Sequence, residues 1–358
     1  MDKTELLLKE ITELNGVSGY ESEVRKLMVR EMKNTTDKIE YDKLGSVLGT
    51  KKGTSDSPRV MVIGHMDEVG FMVKEVTKEG YIKFLPLGGW WGHVALGQRM
   101  RVIGSKGAFV GVVGSKPPHF LPQEERGKVV KIKDMFIDVG VQEKFDVRKK
   151  LGIKPGDPII PDSHFTVLGN SKMYMSKAFD NRAACAIVID LLRRLARLKH
   201  PNTVLGGGTV QEEVGLRGAQ TIAHLADPDV CIAVDIGVGR DVPPDGFSVA
   251  EKLGSGVTIL IYDAGMIPNL KLRDLFVKTA EEKKIPYHLS YMEGGSGDGA
   301  RVHVSRLGVP SIYVGPPVRY IHSHNGIMNR TDYDNTVKLV AEVIKKLDKK
   351  TVKSLTEG

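Results

Sequence analysis

Hydrophobic and polar positions follow a helical period at the start of the chain. Residues 4–33 place apolar side chains at helical spacing on both sides of a Gly/Ser loop, which predicts two helices. Residues 38–50 and 59–64 are predicted strands, and the second is a continuous apolar run of the kind that is buried on both faces of a sheet. The chain therefore begins with helices and continues into a buried sheet.

The pattern changes between residues 71 and 163. Short runs of alternating apolar and polar residues, separated by glycines, predict strands there, and helical spacing is found only near residues 142–151. We interpret this stretch as a small, closed, β-barrel-like domain that is inserted into the chain.

Strands and helices alternate after the insertion. Apolar runs predict buried strands at residues 203–211, 230–238 and 310–315, and amphipathic stretches predict helices at residues 182–198, 269–284 and 335–350. Such alternation predicts an α/β fold, with a mostly parallel central sheet and helices on both faces. We assign residues 1–70 and 164–358 to one α/β domain and residues 71–163 to the insertion.

Composition narrows the class of protein. A chain of 358 residues is longer than a domain with a single hydrophobic core usually is, which favours two domains or one domain with an insertion. Its content of 41% hydrophobic and 27% charged residues is ordinary for a globular protein. No apolar run approaches the ~20 residues that cross a bilayer, so we expect a soluble protein with no membrane partner. The N-terminal stretch mixes acids and bases, unlike a secretory signal, and we expect a cytoplasmic location.

Charge and cysteine content argue against a nucleic-acid-binding protein and against a zinc-ribbon protein. The net charge is +8, but the 52 basic residues are scattered, without a basic stripe or an aromatic RNA-binding motif. We therefore expect no nucleic-acid partner. Cys185 and Cys231 lie in apolar runs without paired spacing, which predicts buried, reduced thiols and no zinc ribbon.

Candidate chemistry collects where the predicted strands end. Ligands of open parallel sheets gather beyond the carboxyl ends of the strands. Taken singly, each polar residue there has an ordinary explanation, such as a helix N-cap for Asp180. Together at one edge they predict a site, composed of His65, Asp67, Asp180, Glu212, Glu213, Asp235, His322 and His324.

The residue types in this set favour a metal site. Histidines and carboxylates suit Zn²⁺, Co²⁺ or Mn²⁺. One catalytic zinc needs three protein ligands, whereas this sequence offers more, so two ions that share a carboxylate fit the count better. Of the adjacent Glu212 and Glu213, one can bind metal while the other takes the proton from the metal-activated water.

Five ordered motifs resemble a known family. "GHMDEVG", "AFDNRAA", "QEEVGLRGA", "AVDIG" and "RYIHS", arranged around a β-rich insertion, resemble the co-catalytic metallo-aminopeptidases that include the tetrahedral (TET) and glutamyl aminopeptidases. Some homologues of these enzymes are labelled endoglucanases. The resemblance implies a zinc-peptidase-like fold and action on short peptides with a free N-terminus. It also implies homo-oligomers, commonly tetrahedral dodecamers, assembled through the insertion.

The resemblance implies that each subunit binds two divalent ions, zinc or cobalt, and it implies which residues bind them. His65 and Asp235 would hold the first ion, Glu213 and His322 the second, and Asp180 would bridge them. The domain of residues 1–70 and 164–358 is then the catalytic domain.

The same resemblance implies roles for residues that do not bind metal. Glu212 would be the general base, and Asp67 would orient the imidazole of His65, since residues two apart on a strand share a face. The peptide bond between Asp180 and Asn181 is expected to be cis.

Two positions depart from the family pattern. Relative to the family pattern, one extra residue precedes Asp298, which leaves its position and role open, and His324 stands where the family has proline. We interpret His322 as the metal ligand and His324 as a pocket residue.

Two alternative functions stay open at this point. A glycosidase would use Glu212 and Glu213 as its acid pair, although neighbours on an extended strand diverge. A non-enzymatic scaffold would recruit peptides or RNA through the β insertion, and such a protein should contain no bound metal.

Overall fold

The N-terminal segment forms two helices and three strands in the computed structural model, which describes residues 1–143 and 145–357. These elements are α1 (Lys3–Glu13), α2 (Ser22–Met32), β1 (Lys38–Tyr41), β2 (Val47–Lys52) and β3 (Arg59–His65). The single strand predicted over residues 38–50 is wrong, because β1 and β2 form an antiparallel hairpin. The Asp42 carboxylate accepts three successive backbone amides, which turns the chain between them.

The predicted β insertion is confirmed as a closed barrel. Its strands are β4 (Gly70–Val76), β5 (Ile82–Leu87), β6 (Arg99–Gly104), β7 (Gly107–Gly114), β8 (Phe136–Asp138) and β9 (Pro158–Pro161), which close in the order β4-β5-β8-β7-β6-β9. The short helices α3 (Gln123–Arg126) and α4 (Val147–Leu151) lie in the connections. The helix predicted near residues 142–151 is thus shorter, because Asp146 caps its start and Gly152 ends it in a left-handed conformation.

The chain then returns to alternating strands and helices. Between residues 166 and 238 the elements are β10 (Thr166–Val167), β11 (Met173–Ser176), α5 (Phe179–Leu195), β12 (Thr203–Thr209), α6 (Arg217–Ala226), β13 (Val230–Val234) and β14 (Gly237–Val238). The remaining elements are β15 (Val257–Tyr262), α7 (Leu270–Glu282), β16 (Tyr287–Tyr291), α8 (Gly299–Val302), β17 (Ser311–Gly315), β18 (Pro317–Arg319), β19 (Gly326–Asn329), α9 (Arg330–Ile344) and α10 (Lys349–Ser354).

Two details of this part differ from the prediction. The sequence pattern missed α6, β15 and β16. The closing helix predicted over residues 335–350 is two helices, because the side chain of Asp348 accepts the backbone amide of Thr351 and starts α10.

The predicted α/β fold with a mostly parallel central sheet is confirmed. Eight strands form the sheet in the order β1-β2-β12-β3-β13-β17-β15-β16, and β12, β3, β13 and β17 are mutually parallel. Buried residues of α1, α2, α5, α7 and α9 cover one face, and those of α6 and α8 cover the other. A second sheet has the order β10-β11-β19-β18-β14. None of the described helices has the length and apolar character needed to span a membrane.

A close helix–strand contact positions the edge of the sheet. A Cβ atom at Gly64 would lie 2.5 Å from the Cβ of Ala184, so only glycine allows α5 to approach β3 this closely. The contact fixes the last residue of β3, His65, against the first turn of α5, which contains Asp180.

Candidate metal centre

The predicted site residues converge at the carboxyl edge of the parallel strands. β3 ends at His65, Glu212 and Glu213 follow β12, and Asp235 follows β13 directly. Asp180 lies in the first turn of α5, and His322 follows β18. These six side chains line one cavity of ≈ 520 Å³. The structure therefore brings these six predicted residues together in one cavity.

Asp180 lies at the centre of the cluster. Its Oδ1 is 3.1 Å from Nε2 of His65, and its Oδ2 is 3.4 Å from Nε2 of His322. The Asp180–Asn181 peptide bond is cis, as predicted. The two oxygens of one carboxylate thus face two different histidines.

Two groups of side chains can each hold a metal ion. One group is His65, Asp180 and Asp235, and the other is Asp180, Glu213 and His322. Within each group the ligand atoms lie within 4.8 Å of one another. Asp180 belongs to both, which is the arrangement that the resemblance implied.

Backbone carbonyls orient both imidazoles. Nδ1 of His65 is 3.0 Å from the carbonyl oxygen of Asp67, and Nδ1 of His322 is 2.8 Å from that of Gly89. A carbonyl only accepts hydrogen bonds, so Nδ1 carries a proton and Nε2 points toward the carboxylates, where a metal ion would use its lone pair. Gly89 lies in the insertion, and no sequence signal pointed to it.

Asp67 supports the site differently from the prediction. β3 ends at His65, so the shared strand face that we expected does not exist, although Asp67 Oδ1 lies 3.4 Å from Nδ1 of His65. The Asp67 carboxylate accepts the backbone amides of Glu212 and Glu213, at 3.0 and 3.1 Å, and the hydroxyl of Ser18 at 2.6 Å. Asp67 therefore anchors the turn that carries both glutamates.

The cluster attracts positive charge. Burial raises the pKa of Glu213 and of Asp235, and the neighbouring charge of Asp180 adds to the shift. Burial alone would lower the pKa of His322, but Asp180 and Glu213 outweigh it and raise that pKa to about 9. Oε1 of Glu213 is buried without a hydrogen-bond partner. A divalent cation fits these donors, because it supplies the charge and the coordination that they lack.

A buried ionic network lies behind the cluster, and the sequence analysis missed it. Nζ of Lys177 lies 2.6 and 2.7 Å from the two carboxylate oxygens of Glu68, and Nη2 of Arg182 lies 3.2 Å from one of them. Arg182 also donates to the backbone carbonyls of Ile11 and Gly16. The network ties the loop after β3 to residues on both sides of Asp180.

Asp298 and His324 do not line the metal-site cavity. Asp298 is buried, its Oδ2 accepts the hydroxyl of Thr209, and its Oδ1 has no hydrogen-bond partner. His324 packs edge-on against Trp90, with ring centroids 5.5 Å apart, and lines a separate surface cavity beside Arg99. The interpretation of His324 as a pocket residue of this site is therefore wrong.

The fold and the two groups of possible metal ligands define an α/β protein with a candidate metal centre. A family model described as M42 glutamyl aminopeptidase matches residues 45–339, and a second model, AMPT, matches residues 2–28. The chain belongs to the M42 glutamyl aminopeptidase family.

Sequence relatives and solved structures match this protein over nearly its full length. The glutamyl aminopeptidase of Lactococcus lactis subsp. cremoris is 36% identical over 96% of this chain and 97% of that protein. The lysyl aminopeptidase of Pyrococcus furiosus is 32% identical over 95% and 96%. The TET aminopeptidase structure from Thaumarchaeota archaeon SCGC AB-539-E09 superposes with a TM-score of 0.96, at 44% identity over 99% and 100%.

A further structure is informative about assembly. The Pyrococcus horikoshii TET1 peptidase, which can assemble into a tetrahedron or a large octahedral shell, superposes with a TM-score of 0.84. It is 29% identical and covers 96% of this chain and 100% of its own.

Proposed function

We propose that this protein is a metal-dependent aminopeptidase that removes the N-terminal residue from short peptides. The observation that carries the proposal is the position of Asp180, whose two oxygens face His65 and His322 at 3.1 and 3.4 Å. Membership of the M42 family supports a peptidase reaction. Peptides with a free N-terminus are the proposed substrates.

Two divalent ions, zinc or cobalt, are the proposed cofactors. His65, Asp180 and Asp235 would hold one ion, and Asp180, Glu213 and His322 the other. Ions bound there would activate a water molecule and polarise the carbonyl of the scissile bond. The carbonyls of Gly89 and Asp67 hold the two imidazoles by Nδ1, which would leave Nε2 of each ring to bind an ion.

Glu212 is the proposed general base. It lines the cavity, its Oε2 lies 3.8 Å from Nε2 of His65, and it belongs to neither ligand group. The Asp67 carboxylate accepts the backbone amide of Glu212 at 3.0 Å, which fixes the backbone from which this side chain extends. Glu212 accepts a proton from the attacking water and then delivers that proton to the leaving amine.

Metal analysis tests the two-centre site. The purified protein should contain about two ions per chain, and Asp180→Ala should lose both, because Asp180 is shared. A stoichiometry fixed at one, unchanged in Asp180→Ala, would contradict the proposal.

Substrate comparison tests the reaction. A leucyl or glutamyl peptide should be cleaved, whereas its N-acetylated form and a soluble cellulose should not. Equal cleavage of the acetylated peptide would exclude an aminopeptidase. Cellulose cleavage without peptide turnover would favour the glycosidase alternative, in which Glu212 and Glu213 form the acid pair.

The geometry disfavours that alternative. Oε2 of Glu212 is nearest His65 and Oε2 of Glu213 is nearest His322, so each glutamate faces a different histidine. A glycosidase would leave both histidines unused. A non-enzymatic peptide or RNA scaffold would purify without metal and lose nothing to a chelator.

We also propose that the protein assembles into homo-oligomers through the barrel of residues 71–163. The self-assembly of the Pyrococcus horikoshii TET1 peptidase supports this idea, and so do exposed apolar side chains on the barrel, such as Phe120 and Trp91. We further propose a cytoplasmic location, with which the buried free thiols of Cys185 and Cys231 agree. Light scattering that shows a monomer would contradict the assembly.

A further inference from the structure

The metal-site cavity has a second wall that the proposed reaction leaves unused. Five apolar side chains form it, and they come from four separate segments of the chain: Leu216, Ile236, Val238, Met292 and Ile321. Val238 is 42% exposed, so it lies at the mouth of the cavity. A peptide whose first carbonyl lies at the ligand groups must direct its first side chain against some part of this wall.

The two neutral polar side chains of the wall are already engaged. The hydroxyl of Tyr313 donates to the backbone carbonyl of Ile236, at 2.7 Å. The hydroxyl of Ser296 donates to Oδ1 of Asp263, at 3.1 Å. Neither hydroxyl can donate to a substrate group without breaking its present bond, so neither offers a proton to a carboxylate side chain.

The wall also contains no charge outside the metal cluster, within the described part of the chain. Arg217, next to Leu216, does not line the cavity, and its guanidinium donates to Gln211 at 3.2 Å. Arg240, two residues after Val238, also lies outside the cavity, 3.9 Å from the carboxylate of Glu251. A charged substrate side chain would therefore be desolvated against apolar groups without an ionic partner, which is unfavourable.

We propose that this wall selects peptides whose N-terminal side chain is neutral and apolar, such as leucine or methionine. The inference rests on the proposed aminopeptidase function. It also separates this chain from its relatives named glutamyl and lysyl aminopeptidase, since a glutamate side chain needs a cation and a lysine side chain needs an anion in the wall.

A panel of aminoacyl-p-nitroanilides tests the selection on the metal-loaded enzyme. The kcat/KM values for leucine and methionine should exceed those for glutamate and lysine by about 10²-fold. Alanine should fall about tenfold below leucine, because it lacks the methylenes that the wall would cover. Calorimetry with free amino acids gives a second readout, in which leucine should bind more tightly than glutamate and lysine.

The outcomes separate this inference from the proposed function. Turnover of glutamate or lysine equal to or above that of leucine would overturn the selection and leave the aminopeptidase intact. No turnover of any substrate with a free amine would overturn both.

Charge changes at Met292 test the wall directly. Met292→Lys should raise the ratio of kcat/KM for glutamate over leucine about tenfold, and Met292→Glu should do the same for lysine. Met292→Gln is the matched control, because it is polar and similar in length but uncharged, and it should raise neither ratio. If all three variants kept the kcat/KM ratios of the unchanged enzyme, the assignment of this wall to the N-terminal side chain would be overturned.

Discussion

The barrel of residues 71–163 and the α/β domain each enclose a hydrophobic core, but they differ in the polar groups that they bury. Within the described part of residues 71–163, no polar or charged residue is buried as a whole, and the nearly covered carboxylate of Asp162 is paired with Arg99 at 2.8 Å. The α/β domain buries His65, which lines the cavity, and also Asp67, Glu68, Lys177 and Arg182.

This difference indicates what each part is for. Buried charges are costly unless they are paired or bind a cation, so a domain retains them only where another group compensates. In the α/β domain the compensation comes from the network around Glu68 and, we propose, from two divalent ions. Among the described residues of the barrel, Gly89 contributes its carbonyl oxygen to the site by accepting a hydrogen bond from His322.

The largest effect should come from the residue of the α/β domain that carries the proposed proton transfer. Glu212→Gln should lower kcat by about 10³–10⁴-fold, because an amide cannot accept the proton, and the metal content should stay the same. Glu213→Gln should lose metal affinity first, since Glu213 belongs to a ligand group and Glu212 does not. Metal analysis beside steady-state kinetics checks both variants. Equal metal loss in the two would exclude separate roles for the neighbours.

The next effect concerns the buried network. Glu68→Gln should lower the free energy of unfolding by about 3–5 kcal/mol, because it leaves Lys177 and Arg182 buried without their carboxylate. Glu10→Gln is the matched control, since it breaks an exposed pair with Arg30 and should cost under about 1 kcal/mol. Chemical denaturation with a chelator present removes the contribution of bound metal. Similar losses in both variants would show that Glu68 is not part of a tightly coupled network.

The sequence could predict the ligands because they follow buried strands. His65, Asp235 and Glu213 each come after an apolar run, and the carboxyl ends of parallel strands meet at one edge. The barrel was predictable for a similar reason, since period-two alternation between glycines is a local signal.

The remaining features depend on contacts between residues far apart in the chain. Lys177 and Glu68 are separated by 109 residues, and His322 and Gly89 by 233, so no local spacing relates them. The contact of Asp67 with the turn of Glu212 and Glu213 was missed for another reason: its carboxylate binds backbone amides, which no sequence pattern marks.

A third test asks whether the barrel or the α/β domain forms the subunit contact. Phe120 and Phe247 are 72% and 73% exposed, and they lie in the barrel and in the α/β domain respectively. Phe120→Asp should reduce the oligomer's mass in light scattering, because a charge would be buried in the proposed interface, and Phe247→Asp should not. The reverse result would move the interface to the α/β domain.

The smallest expected effect tests whether the barrel takes part in the site at all. A Cβ atom at Gly89 would lie 3.1 Å from Nδ1 of His322, closer than an ordinary van der Waals contact. Gly89→Ala should therefore shift the carbonyl or the ring by a few tenths of an ångström and weaken metal binding about tenfold.

The loss should fall on the group that contains His322 and Glu213, while the group that contains His65 and Asp235 should change less. Gly127→Ala is the control, because a Cβ at this barrel position meets nothing within 4 Å. Competition with a chromogenic chelator measures both affinities. If Gly89→Ala behaved like Gly127→Ala, the Gly89 carbonyl would have no part in orienting His322. A selective loss would mean that the barrel, in which no described polar residue is buried as a whole, still sets the orientation of one metal ligand through its backbone.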